Sequence, residues 1–98
     1  MNHILHPEAD AEFQAHVRHY HEVDSELGSR FYDVVAARLR EATEHPKLYR
    51  VYDPPARRVL VPDFPYAVLY VPRADYVLIV AVMHLKQRPG YWRHRLTD

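Results

Sequence analysis

The chain has 98 residues, no cysteine, and 13 acidic against 13 basic side chains. That length holds one modest core, so one domain over residues 1–98 is expected, and the missing cysteines remove disulfides, thiolate metal ligands and thiol nucleophiles. The longest apolar run, Tyr76 to Met83, is too short to cross a bilayer as a helix, and the N-terminus has no apolar stretch of signal-peptide length. A soluble, cytoplasmic protein with no membrane partner is the expectation.

The zero net charge hides an asymmetry. Residues 1–46 hold nine acids and four bases, and residues 47–98 hold four acids and nine bases. A basic second half suits an anionic partner, either nucleic acid or an acidic protein segment; ordinary solvated charge is the plainer alternative.

Residues 2–6, apolar at Ile4 and Leu5, suit a brief first strand. Pro7 then opens a helix, where its missing N–H costs nothing. Glu8, Asp10 and Glu12 favour the positive end of its dipole, and Phe13, Val17 and Tyr20 form one buried stripe to about Val23. Ser25 is expected to cap a second helix. Leu27, Phe31, Val34, Val35, Leu39 and Ala42 mark its inner face, Gly28 weakens it, and Pro46 stops it. Arg38 shares the inner row, either snorkelling at its edge or pairing with an acid on the first helix.

After Pro46 the period changes from 3.6 to 2. Strands are expected at Leu48–Tyr52, Arg57–Val61, Tyr66–Val71 and Tyr76–His84, separated by Pro-rich breaks. Short turns favour antiparallel neighbours. The last strand is apolar on both alternating sets, as a central strand covered on both faces would be. The helical hairpin would cover one face, and a short C-terminal helix at 89–95 would lie near the other. The fold class is α+β, a short strand and a helical hairpin packed on a twisted antiparallel sheet.

Several pieces occur in order along the chain: His6-Pro7-Glu8-Ala9 with Glu12-Phe13, Leu27-Gly28 with Phe31, Arg57-Arg58, Phe64-Pro65-Tyr66 with Tyr70, Val82 with His84, and Pro89 with Tyr91-Trp92 and Arg95. Over about ninety residues this order and spacing resembles the RelE/ParE toxin superfamily of bacterial type II toxin–antitoxin modules. The resemblance implies a toxin neutralised by a small cognate antitoxin, as a homodimer or a toxin–antitoxin hetero-oligomer. It implies one of two targets. The RelE-like branch cleaves messenger RNA on the ribosome; the ParE-like branch acts against DNA gyrase. The pattern looks closer to the ParE-like, plasmid-stabilisation group. An inactive relative that keeps only antitoxin binding is a third outcome. The chain departs from the pattern at His84-Leu85-Lys86-Gln87-Arg88-Pro89, where relatives carry two bases and an acid after the histidine, and at Asp63, where relatives carry a base.

If the protein is an enzyme, it is a metal-independent endoribonuclease. Such chemistry needs a base for the 2′-OH, an acid for the leaving oxygen and a cation for the phosphorane. His84, Tyr91 and Arg58 are the candidate catalytic residues. Arg57, Arg58, Lys86, Arg88, Trp92 and Arg95 are candidates for holding phosphate or target, the arginines bidentately and Trp92 and Tyr70 by stacking. Arg57 and Arg58 point to opposite faces of one strand, so at most one serves a given site. The plainer reading makes His84 a turn anchor and has Tyr91 and Trp92 pack the C-terminal segment onto the sheet. His16, His19 and His21 diverge around the first helix, with His21 about 160° from His19, so no metal site and no cofactor are expected.

Overall fold

The computed structural model describes residues 1–96. Helix α1 (Pro7–Val23) begins at its proline as expected. The His6 imidazole accepts the Glu8 N–H at 3.1 Å and so satisfies one of the first-turn donors. Asp24 then serves both helices. Its N–H donates to the Tyr20 carbonyl to end α1, and its carboxylate accepts the Glu26 N–H at 2.8 Å to start α2 (Ser25–Glu44). The cap is therefore Asp24 rather than Ser25, which is the first helical residue; both have the short polar side chain that a cap needs.

Gly28 does more than weaken α2. A Cβ at this position would stand 2.5 Å from the His21 ring, so the glycine lets the end of α1 close onto the start of α2. Phe31, Val35, Leu39 and Ala42 are buried on the inner face, with Leu27 and Val34 partly so. Arg38 pairs weakly within its own helix, 3.5 Å from Glu41, and not with α1.

The sheet has the order β1-β5-β4-β3-β2, with β1 (Asn2–Leu5), β2 (Val51–Asp53), β3 (Ala56–Val61), β4 (Tyr66–Pro72) and β5 (Tyr76–His84). The strands β2 to β5 are antiparallel neighbours joined by short turns. The edge strand β1 makes the sheet mixed: it runs parallel to β5, from Asn2 opposite Tyr76 to Leu5 opposite Ile79. No tight turn joins these two strands, so nothing local dictates their relative direction. The second expected strand starts three residues late, because the Leu48 N–H turns back to the His45 carbonyl after α2. Asp63 sits in the turn before β4 at φ 69°, a left-handed conformation in which Asp is better tolerated than most residues.

Two cores sandwich the sheet. Phe13, Phe31, Val35, Val59, Val68, Tyr70 and Ile79 pack between helices and sheet. Ala67, Leu69, Val71, Ala81, Met83 and Trp92 pack on the opposite face, beneath the C-terminal segment. The expected C-terminal helix is a single 3-10 turn, Arg93–Leu96. Both β4 and β5 are covered on both faces, which accounts for their nearly continuous apolar sequences.

Candidate functional site

The candidate residues fall into three places. The first is the edge of β5 beyond the end of β1. There the strand has lost its neighbour, and its backbone is met by side chains. Glu12 Oε1 accepts the Val82 N–H at 3.2 Å, Arg95 Nη1 donates to the Val80 carbonyl at 3.0 Å, and His16 bonds to the Val82 backbone. Arg95 also grips both oxygens of Glu12, at 2.8 and 3.1 Å, and the Tyr91 hydroxyl donates to Glu12 Oε2 at 2.5 Å. Buried edge groups of a sheet need such partners, and Glu12, from α1, supplies one from across the sheet edge.

This arrangement assigns holding tasks to three candidates. The Tyr91 phenol is pushed well above its ordinary range by burial and by the hydrogen bond it donates to Glu12. Arg95 is buried and neutralised by Glu12, so its guanidinium is not offered to a phosphate. Trp92 has 1% exposure and presents no face on which a base could stack. Tyr70 is likewise buried, its hydroxyl donating to the Pro46 carbonyl.

The second place is the end of β5. His84 is half-buried, its ring edge-on to Tyr66 at 5.1 Å, and its Nδ1 accepts the Lys86 N–H at 3.0 Å. An accepting Nδ1 leaves the proton of the neutral ring on Nε2. Tyr66 touches His16, whose Nδ1 lies 3.5 Å from the hydroxyl, and burial pushes the Tyr66 phenol up to about 12. Lys86 and Arg88 stand exposed on the turn that follows.

The third place is the β3 edge. Register settles the arginine pair: Arg57 shares the helix-facing set with Val59 and Val61, and Arg58 the opposite set with Leu60. Arg57 Nη1 donates to the Tyr49 carbonyl at 2.7 Å, while the Arg58 guanidinium lies 4.5 Å from the centre of the Tyr52 ring. Arg57, Arg58, Lys86 and Arg88 are thus the candidates whose charge is not taken up by an ion pair among the described residues, and of the two arginines on β3 only Arg57 gives a donor to a backbone carbonyl.

The sequence reading places Glu12 in a helix dipole and in the ordered motifs and misses it as a site residue. Its row was visible, because Glu8, Glu12 and His16 recur every four residues on one face of α1. The partners were not visible, since Arg95 and Tyr91 come from the far end of the chain. Of the basic second half, Arg95 is, among the described residues, the one that pairs with the acidic first half, through Glu12 and Glu8; Arg93 pairs with Asp53 of its own half, and the His94 ring meets Glu8.

A solved structure, the chromosomal ParDE TA system from P. aeruginosa, superposes with a TM-score of 0.74 at 14% identity, over 86% of this chain and 95% of that one. The class is therefore a small α+β protein with the fold found in a ParDE system, the likeness at that identity establishing the fold alone. The family model for the ParE toxin of the type II toxin–antitoxin system parDE matches residues 4–89, and the chain belongs to that family. No curated protein matches the sequence significantly. Among the described residues no helix is long and apolar enough to cross a membrane.

Proposed function

We propose that this ParE-family toxin stops growth by binding an essential target such as DNA gyrase, in the cytoplasm, and that a cognate antitoxin neutralises it. The observation that carries the reading is the engagement of the chemical groups. The Tyr91 hydroxyl and the Arg95 guanidinium are bound to Glu12, and His84 Nδ1 is bound to the Lys86 amide. Action by binding needs no acid, base and cation converging on one phosphate, and the engagement of these groups among the described residues supports that reading. Purified gyrase should lose supercoiling activity when the free protein is added. Full supercoiling at a stoichiometric excess would exclude this target.

A second reading, ribosome-dependent cleavage of messenger RNA, draws on half-buried His84 and exposed Lys86 and Arg88 near the same turn. Induced expression would then yield discrete cuts in translated messages that disappear with His84→Ala. Growth arrest on expression without an antitoxin separates both readings from an inactive relative.

A further inference from the structure

The asymmetry of charge along the sequence reappears across the sheet. The order β1-β5-β4-β3-β2 puts the strand of the acidic half at one edge and strands of the basic half at the other. With neighbouring strands about 4.8 Å apart, the two edges lie roughly 19 Å from each other.

Each edge carries a cleft. Beside β2 and β3 a groove of about 450 Å³ is lined by Arg38, Arg50 and Arg58 with Tyr49, Tyr52 and Leu60 among others, and by no carboxylate. Arg38 Nη1 reaches Glu41 at 3.5 Å, yet its Nε is buried without a hydrogen-bond partner, so the groove keeps a donor to be satisfied. From Val59 to Val61, β3 has no outer strand among the described residues, which leaves the groove open on that side. Beside β1 a second cleft, of about 610 Å³, is lined by His3, Ile4, Arg40, Glu44 and Asp75 among others. Arg40 also lines a smaller cleft on the helix side of β1, where Asp10 is the acid. Three exposed carboxylates, of Asp10, Glu44 and Asp75, therefore stand around one guanidinium along this edge. Apolar surface accompanies the charge at both places, with Ile4 exposed at β1 and Leu60 and Tyr52 exposed at the groove.

We propose that the acid-rich β1 edge of one copy of this chain docks into the arginine groove of the next. Glu44 and Asp75 bring carboxylates to Arg38, Arg50 and Arg58, and Ile4 brings an apolar side chain to Leu60 and Tyr52. Opposed potentials of this kind speed encounter and fix orientation. Two grooves, or two β1 edges, brought face to face would oppose like charges, which disfavours a twofold contact at either place. The two surfaces lie at opposite edges of one sheet, so a pair of copies leaves one groove and one acidic edge unfilled. The contact is heterologous, and association runs on from copy to copy. It depends neither on the target nor on an antitoxin.

Sedimentation velocity of the full chain without partners is the test. In low salt the mean mass should climb steadily with concentration from the 11.6 kDa of one chain, with no plateau at the dimer. Salt at about 1 M, where charges are screened beyond about 3 Å, should return it to the single chain. Arg50→Glu alters the groove and Glu44→Arg alters the edge. Glu44 ends α2, where a cation suits the helix dipole, so the fold should be kept and circular dichroism checks it. Each variant alone should raise the concentration needed for association by about tenfold or more. An equal mixture of the two should form pairs and stop there, because the intact groove of one meets the intact edge of the other. A variant that merely failed to fold could not do this. A chain that stays single in low salt at its highest soluble concentration overturns the proposal, and so does association that salt and both variants leave unchanged. A plateau at the dimer in the unaltered chain overturns it in favour of a twofold contact. A chain that stays single yet takes up an RNA or DNA oligonucleotide, and loses it with Arg50→Glu, assigns the groove to nucleic acid instead.

Discussion

Arg95 and Glu12 stand 83 positions apart in sequence and form a two-armed ion pair, Nη1 to Oε1 at 2.8 Å and Nη2 to Oε2 at 3.1 Å. The pair joins the helical layer to the C-terminal turn around the edge of β5. It also carries two further loads, because Glu12 accepts the Val82 N–H and Arg95 donates to the Val80 carbonyl. Removing one partner of a buried pair leaves the other charge uncompensated, at about 3–5 kcal/mol. Glu12→Ala should therefore lower the free energy of unfolding by about 3 kcal/mol or more, with Glu12→Gln less damaging because its amide oxygen still accepts one bond. Urea titrations of both variants measure the order.

Tyr91→Phe removes the hydroxyl from Glu12 and leaves the ion pair. Loss of a hydrogen bond to a charged acceptor predicts about 1.5–3 kcal/mol of lost stability. If the protein acts by binding, growth arrest at permissive temperature should persist in this variant. Loss of arrest with an unchanged melting temperature would instead assign Tyr91 a direct role.

His16 gives the fold a pH dependence of definite sign. Its pKa is lowered from the ordinary 6.5, first by burial against Tyr66, with Glu12 and the Val82 backbone opposing and His84 and His19 adding to the depression. The unfolded chain then binds more protons than the native one in the window below 6.5. The contribution of His16 is complete above the unfolded value and declines as pH falls through the folded one. Stability should rise with pH across that window, and His16→Gln should flatten the rise. Urea midpoints measured from mildly acidic to neutral pH decide it.

Arg57 and Arg58 should separate by function rather than by stability. Arg57→Ala loses one bond to the Tyr49 carbonyl, at about 1 kcal/mol. Arg58→Ala loses its contact with the Tyr52 ring, at about 0.5–1 kcal/mol for a cation near the surface. Of the two, only Arg58 lines a groove of about 450 Å³ beside β2 and β3, where Arg38 and Arg50 are the other cations and no carboxylate is present. Isothermal titration with the antitoxin should show weakened binding for Arg58→Ala and near-native binding for Arg57→Ala.

Gly28 and His21 should be coupled. Alanine favours a helix over glycine by about 1 kcal/mol, but a Cβ at position 28 would strike the His21 ring. Gly28→Ala should destabilise the native background and stabilise a His21→Ala background. A double-mutant cycle in urea reads the coupling directly, and additive effects would contradict it.

Helices and strands were legible because each buries one repeating face. Phe13 and Val17 recur at helical spacing, and Tyr76 to His84 is apolar on both alternating sets. The cap shifted by one residue because Asp24 and Ser25 are chemically equivalent for that task until the backbone chooses. The β2 strand was read too early because its apolar start, Leu48 and Tyr49, belongs to the turn that closes α2. Arg57 and Arg58 were known to face opposite ways, since strand geometry alone requires it; which face lay under the helices depended on pairing with Tyr70 and Leu69.

The sequence by itself determined the local periods, the helix limits at Pro7 and Pro46, the core hairpin Tyr66–His84, and the ordered motifs of its toxin family. Those features depend on neighbours within a few positions, so they are written in the chain directly. Only the tertiary structure decided that Tyr91, Trp92 and Arg95 are turned inward, that Glu12 receives two of them, and that Arg58 rather than Arg57 lines the open β3 edge. Each of these is a contact between distant segments. Charge and ring chemistry define which partners a side chain can accept, and the folding of the sheet against α1 defines which of them it meets.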